Sequence, residues 1–121
     1  MFKSIRTFIG ANDFNESRNF YKDLGFVELE LPNNLSVFNV DDKLSFYLQK
    51  AYVKDWVDNS MLFLEVEDIE AYLLQIKSKN LITKYQKVKL SEIVNHTWGK
   101  VFFLHDPSGI LWQIGCFYTN Y

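Results

Sequence analysis

The fold of this chain is decided by residues 12–26, which read NDFNESRNFYKDLGF. Asn12 or Asp13 offers a side-chain oxygen that can cap a helix, and apolar or small residues then recur at three- and four-residue spacing. These residues are Phe14, Ser17, Tyr21 and Leu24. Gly25 follows where a helix end favours the left-handed conformation, so the stretch predicts one helix that ends there.

Short apolar segments surround this helix and are separated by residues typical of turns. Residues 5–11 precede it, and further segments follow at residues 26–31, 36–40 and 43–49. Side chains alternate between the two faces of a strand, and in the last segment one set is apolar while the other is partly polar. The four segments predict strands, which with the helix make one βαβββ unit.

The same order returns in the second half of the chain. Residues 61–66 predict a strand, Asp68 is a candidate cap, and an apolar stripe predicts a second helix that ends near Asn80. Further strands are predicted near residues 81–88, 100–105 and 110–117. The halves match at a constant offset, which indicates a weak internal repeat.

The two units are expected to pack together as a single domain over residues 1–121. The modules cover about 1–50 and about 60–121, and residues 51–59 read as a connecting loop with a helical turn. Each module buries only one face of its sheet alone, so pairing is the expected way to cover what is left.

Composition limits the classes of function. Apolar residues make up 48% of the 121 residues and charged residues 23%, with 5 Gly and 2 Pro, which is typical of a globular domain. A formal charge of -2 gives no broad positive field for a nucleic acid. No apolar stretch approaches the roughly 20 residues that cross a bilayer. We therefore expect neither nucleic acid nor a membrane as a partner.

The cysteine count bears on the cellular compartment. Cys116 is the single cysteine, so it has no partner for a disulfide within the chain. No apolar segment of the signal-peptide type follows the N-terminal Met-Phe-Lys-Ser. A cytoplasmic location is therefore the expectation.

Two motifs carry a resemblance to a known family. One is the helix motif of residues 12–26, and the other is Trp98-Gly99 followed by residues 105–112, HDPSGILW. With the repeated unit between them, the chain resembles the vicinal-oxygen-chelate superfamily of glyoxalases, bleomycin-resistance proteins and extradiol dioxygenases. The resemblance spans nearly all of the chain. It implies an α+β fold of two βαβββ modules that form a cup-shaped mixed sheet with helices on its outer face.

Catalytic members of this family hold a divalent metal with His, Glu or Gln side chains that face the cup. The resemblance places the four corresponding positions at Arg6, Tyr47, Met61 and Gln113. A guanidinium has no lone pair to give, a thioether is a soft ligand and Tyr is an uncommon one, so only Gln113 is a plausible ligand. We therefore expect no metal and no cofactor.

Other catalytic groups are scarce in the sequence. His96 and His105 are the only imidazoles, and neither falls at a ligand position of the family. The ordinary interpretation for both is a surface or locally hydrogen-bonded histidine. No nucleophile has a recognisable base partner. The sequence thus favours binding over catalysis and predicts no catalytic residue.

The resemblance and the strand alternation together predict the lining of the cup. An apolar and aromatic lining with a few polar anchors is typical of small-molecule pockets. Arg6 favours a carboxylate or another anion, unless Glu65 already neutralises it. The resemblance implies that Trp56, on the connecting loop, and Trp98 border the groove, and a place in the core or at a dimer interface is the alternative for each. The predicted ligand-binding residues are Arg6, Phe8, Tyr47, Gln49, Trp56, Met61, Phe63, Glu65, Trp98 and Gln113.

Three functions follow from these observations. The first is a binding protein similar to bleomycin-resistance proteins, which holds an aromatic or charged antibiotic or metabolite without a metal. The second is a metal-dependent lyase or dioxygenase of the same fold, with a metal site at other positions than these four or one that a second subunit completes. The third is a structural or regulatory module whose side chains simply fill the cup. The family also pairs modules between chains, so the resemblance implies a homodimer.

Overall fold

The computed structural model describes residues 1–119, and its strands form two separate mixed sheets with helices packed against them. The first module contains one helix and four strands. Their bounds are β1 Phe8–Gly10, α1 Phe14–Leu24, β2 Val27–Leu31, β3 Leu35–Asn39 and β4 Ser45–Gln49. The strand order is β1-β4-β3-β2, with β1 parallel to β4 and the other neighbours antiparallel. The predicted βαβββ order of the first half is confirmed.

The second module repeats this arrangement with additions. Its elements and the helix before it are α2 Lys54–Asp58, β5 Met61–Glu65, α3 Ile69–Ser78, α4 Leu81–Lys84, β6 Lys89–Leu90, β7 Val94–Asn95, β8 Gly99–His105 and β9 Leu111–Phe117. The order is β5-β9-β8-β6, and β7 also pairs with β8. Parallel pairing of β5 with β9 mirrors that of β1 with β4. The mixed α+β class is therefore confirmed.

Helix α1 forms where residues 12–26 predict it. Asp13 is the cap of the two candidates, because its Oδ1 accepts a hydrogen bond from the backbone N–H of Glu16 at 3.1 Å. Gly25 ends the helix at φ 111°, a left-handed conformation that only glycine adopts without strain. The buried residues of the helix are Ser17, Phe20, Tyr21 and Leu24.

The prediction of a strand near residues 81–88 is wrong. Residues 81–84 form the short helix α4, and the strand that pairs with β8 begins only at Lys89. Leu81, Tyr85 and Val88 are all buried, and their spacing of four and three residues belongs to a helical path, not to an alternating strand.

The first strand is also shorter than predicted. Only Phe8–Gly10 pairs with β4, whereas the prediction covered residues 5–11. Strand β4 begins at Ser45, two residues before Tyr47, the partner of Phe8. This register places Arg6 opposite Ser45, so the residues before Arg6 have no strand beside them. Residues 1–7 lie outside any strand and form an N-terminal arm in which Ile5 is 98% exposed.

Both modules contribute to one aromatic core. Tyr21 lies 5.9 Å from Trp112 between ring centroids, Phe46 lies 5.3 Å from the same indole, and Phe20 meets Tyr85 edge-on at 5.5 Å. Such offset and edge-on contacts are the favoured geometries of aromatic pairs. Helices α1 and α3 cover one face of each sheet, so the opposite faces are left open.

One buried polar group links the modules inside this core. The hydroxyl of Tyr21 donates to Asp106 Oδ2 at 2.6 Å and accepts from Trp112 Nε1 at 2.9 Å. Asp106 Oδ1 also accepts from the backbone N–H groups of Ser108 and Ile110, both at 2.9 Å. Burial raises the pKa of Asp106 to about 6, although the hydrogen bond from Tyr21 and those from the backbone oppose the rise.

Candidate functional site

Each sheet presents one face to the core and leaves the other open. On β4, Phe46 and Leu48 are buried, whereas Ser45, Tyr47 and Gln49 are partly exposed, as their alternation predicts. On β5 the exposed positions alternate in the same way, with Met61, Phe63 and Glu65 facing outward. Leu44, predicted to share the buried face, is 51% exposed because it lies in the turn before β4.

An aromatic pair with a cation lies on the open face of the first sheet. Phe8 and Tyr47 are register partners on β1 and β4, and their rings stack at 4.6 Å. Arg6 Nη1 donates to the hydroxyl of Tyr47 at 3.2 Å, and its guanidinium carbon lies 5.6 Å from the centre of that ring. The predicted alternative, an ion pair between Arg6 and Glu65, does not form within residues 1–119.

A larger aromatic cluster lies on the open face of the second sheet. Phe63 stacks on Phe117 at 5.3 Å, Trp98 meets Phe117 at 5.3 Å, and His96 lies parallel to Trp98 at 5.2 Å. The ring of Phe63 lies across Gly115, where an added Cβ would come within 2.9 Å of the ring. The structure therefore joins Phe63 and Trp98 through Phe117.

Sequence reasoning missed Phe117, His96 and Gly115 as parts of this cluster. The parity of β9 carried a signal, because residues 113, 115 and 117 face the same side of the strand. A glycine inside a strand is a second signal, since it often marks a close approach by another group. The stacking of His96 on Trp98 has no sequence signal, because it depends on the course of the loop before β8.

The four positions that hold a metal in catalytic relatives form two pairs here. Arg6 bonds to Tyr47 on the first sheet, and Gln113 Nε2 donates to Met61 Sδ at 2.6 Å on the second. A permanent cation, a phenol and a thioether do not fit the oxygen and nitrogen donors that a hard divalent cation needs. Nor does any group of three or more His, Cys, Asp or Glu within residues 1–119 converge on a possible metal position.

The remaining candidate residues lie apart from these clusters. Trp56 is 66% exposed on α2 and joins no ring pair in the part of the chain that the structure describes. Glu65 is exposed on β5 and is the register partner of Gly115. Gln49 lies on the open face of β4, opposite Gly10 of β1. His105 is partly buried, and burial together with the charge of Lys89 lowers its pKa.

A cleft of about 400 Å³ lies between the N-terminal arm, β4 and β5, and we call it the arm cleft. Residues 3–7 form one wall, and the start of β4 with the turn before it forms another. Arg6 and Phe63 are the candidate residues that line it. The arm cleft thus brings together one predicted residue from each module.

None of the helices within residues 1–119 is long and apolar enough to span a membrane.

Comparison with known proteins identifies a family and several similar structures. The family described as Glyoxalase/Bleomycin resistance protein/Dioxygenase superfamily matches residues 4–114. A bleomycin-binding protein complexed with bleomycin is 19% identical with a TM-score of 0.78, and the match covers 93% of this chain and 97% of that one. A bleomycin resistance determinant encoded on the transposon Tn5 is 18% identical with a TM-score of 0.77, covering 96% and 99%.

An enzyme is also among the similar structures. A lactoylglutathione lyase from Agrobacterium tumefaciens is 16% identical with a TM-score of 0.66, and the match covers 93% of this chain and 92% of the lyase. No curated protein matches the sequence significantly. At identities this low, the likeness to binding proteins and to the lyase concerns the fold.

Proposed function

The chain belongs to the glyoxalase/bleomycin resistance protein/dioxygenase superfamily, and we propose that within it this protein binds a small molecule without changing it chemically. The ligand is an aromatic or charged antibiotic or metabolite. It lies on the open sheet faces, and no metal takes part. Site residues are those predicted from the sequence, with Phe117 and His96 added.

One observation carries this proposal, namely that stacked aromatic rings remain half-exposed on both open faces. Phe8 is 52% exposed and Phe63 41% exposed, although either ring would be worth about 2 kcal/mol or more if fully buried. Rigid rings with polar groups beside them are typical of small-molecule sites, where stacking supplies contact area and polar groups fix orientation. Arg6 bonds to Tyr47 beside the first ring pair, and Gln113 is the register partner of Phe63 on the second sheet.

The donor set argues against the metal-dependent alternative. Arg6 and Met61 occupy two of the four positions that hold the metal in catalytic relatives, and neither supplies a hard donor. Metal analysis of the purified protein tests this point. Stoichiometric zinc, nickel, manganese or iron, removable with loss of turnover of a thiol adduct or a catechol, would establish the lyase or dioxygenase instead.

We also propose that the protein is a cytoplasmic homodimer whose chain folds as one domain. Exposed apolar residues support a dimer, since Val27 and Leu29 on the edge strand β2 are 65% and 59% exposed. The shared aromatic core supports one domain, because it joins the modules. Sedimentation that finds a monomer at every concentration, or two separate unfolding transitions, would contradict these points.

Binding is tested by thermal unfolding with a panel of glycopeptide antibiotics, planar aromatic compounds and small carboxylates. We expect at least one class to raise the melting temperature, because a ligand that binds only the folded state stabilises it. For that ligand, Tyr47→Leu and Phe63→Leu should each weaken affinity by about tenfold, the stacking energy of one ring.

A matched control is Tyr52→Leu, which removes a 43% exposed tyrosine from the connecting loop. This variant should bind as the wild type does. Melting of each variant without ligand shows whether it is folded. If no compound stabilises the wild type at saturating concentration, the binding function is wrong.

A further inference from the structure

We infer that the arm cleft takes an amphipathic anion, a small molecule with an apolar body of one or two rings and one carboxylate or phosphate group. This inference rests on the proposed binding function, because the arm cleft shares Arg6 and Phe63 with the proposed site and the inference names the class of ligand that this part of the site holds. Its basis is the distribution of charge and apolar surface inside the arm cleft.

Three cations line the arm cleft and no carboxylate does. Lys3 and Arg6 come from the arm, and Lys43 comes from the turn before β4. Within residues 1–119 none of the three takes part in an ion pair. The whole chain carries a formal charge of -2, so this local excess of positive charge does not follow from composition.

One acidic side chain close to Lys43 in sequence, Asp41, is already occupied. Asp41 precedes Lys43 by two residues, but its Oδ1 accepts the backbone N–H groups of Lys43 and Leu44 at 2.8 and 2.9 Å. These bonds hold the carboxylate in the turn and away from the lining of the cleft. The ammonium group of Lys43 therefore keeps its charge available for a ligand.

The Arg6 side chain is held by Tyr47 and keeps N–H donors that can bind a ligand. Its bond to the Tyr47 hydroxyl uses Nη1, and its guanidinium rests beside the tyrosine ring. A guanidinium has five N–H donors in a flat fork that matches a carboxylate or a phosphate. In the part of the chain that the structure describes, the bond to Tyr47 is the only hydrogen bond that the Arg6 side chain makes.

The floor of the arm cleft is apolar. It is formed by Phe46, Leu62, Leu64 and Trp112. The indole N–H of Trp112 donates to Tyr21, so the ring offers only apolar surface to the cleft. Ser4, Thr7 and Ser45 also line the cleft and add hydroxyl groups to it. A cleft of about 400 Å³ with apolar and basic residues in its lining suits a ligand that is apolar at one end and anionic at the other.

Four probes that share one naphthalene ring test the inference by calorimetric titration of the full chain. They are naphthoate, naphthyl phosphate, the neutral naphthamide and the cationic naphthylmethylamine. We expect the anions to bind at least tenfold more tightly than the amide, because only the anions can accept charge-assisted hydrogen bonds from the basic side chains. Naphthoate and naphthyl phosphate distinguish a carboxylate site from a phosphate site. Anion affinity should fall as salt rises from about 20 to about 300 mM.

Charge-reversal variants locate the site. Arg6→Glu and Lys43→Glu should each weaken binding of the anion at least about tenfold more than they weaken binding of the amide. Lys87→Glu is the matched control, since it makes the same change in net charge at an exposed lysine that does not line the cleft. Unfolding without ligand confirms that each variant is folded.

The outcomes separate this inference from the proposed function. If amide and amine bind as well as the anions, or if Lys87→Glu weakens the anion as much as Arg6→Glu, the anion site is wrong while binding by the protein stands. If none of the four probes binds but another compound of the wider panel does, the anion site is again wrong. If no compound binds at all, both are wrong.

Discussion

At the scale of single residues, the hydroxyl of Tyr21 is held in the core by two hydrogen bonds. It is fully buried, donates to Asp106 and accepts from Trp112, so it satisfies two groups that have no water nearby. Burial, followed by the charge and hydrogen bond of Asp106, raises the pKa of Tyr21 well above its ordinary value. The phenol therefore stays neutral and serves as a donor throughout the physiological range.

Removing this one oxygen should destabilise the fold. Tyr21→Phe keeps the ring and its stacking but leaves Asp106 Oδ2 and Trp112 Nε1 without their shared partner. We expect the free energy of unfolding to fall by about 1–3 kcal/mol, measured by urea denaturation. Tyr85→Phe serves as a comparison, because the Tyr85 hydroxyl bonds to Asp23 nearer the surface. Removing that hydroxyl should therefore lower the free energy of unfolding by less. An unchanged stability in Tyr21→Phe would contradict this account of the core.

At the scale of elements, the sequence predicts those whose ends carry local signals. Helix α1 begins at its cap and ends at Gly25 because both signals lie within a few residues of the backbone groups they serve. Helix α4 was missed because its four residues depend on the turn at Asn80, where φ is 54°. Strand alternation correctly placed Tyr47 and Phe63 on open faces. It could not give their ring contacts, because these depend on rotamers and on Gly115 beneath Phe63.

The two helix caps offer a matched test at this scale. Asp13 Oδ1 accepts from Glu16 N at 3.1 Å, and Asp68 Oδ1 accepts from Ala71 N at 3.0 Å. Asp13→Ala and Asp68→Ala should each lower the free energy of unfolding by about 1 kcal/mol, since each leaves a backbone donor unsatisfied. Asp42→Ala, in an exposed turn, removes the same charge without a cap. If it costs as much in thermal unfolding as the other two, charge and not capping explains the effect.

At the scale of the whole molecule, stability depends on pH through carboxyl groups whose pKa values shift in opposite directions on folding. The folded pKa of Asp106 is raised to about 6, so its contribution is largest below the ordinary pKa of 3.8 and is lost as pH rises to about 6. Glu28 behaves in the opposite way. Burial opposes its charge, but hydrogen bonds from Arg18 and Ser36 prevail and lower its pKa, so its contribution is lost as pH falls.

Asp106→Asn isolates the first of these groups. Asn cannot ionise, so the variant loses the pH dependence that Asp106 supplies between about pH 3.8 and about pH 6. We expect the stability of the wild type relative to the variant to decrease by roughly 3 kcal/mol as pH rises through that window. Urea denaturation at several pH values measures it. A constant difference would show that folding leaves the pKa of Asp106 unchanged.

The fluorescence of Trp112 reports whether the two modules have packed together. Its indole is 3% exposed and contacts rings that precede it by 66 to 91 positions, whereas Trp56 is 66% exposed at the connecting loop. Emission from Trp112 should therefore shift to the blue only when the two halves of the chain have come together. During refolding, that shift separates docking of the modules from the earlier formation of helix, which circular dichroism follows.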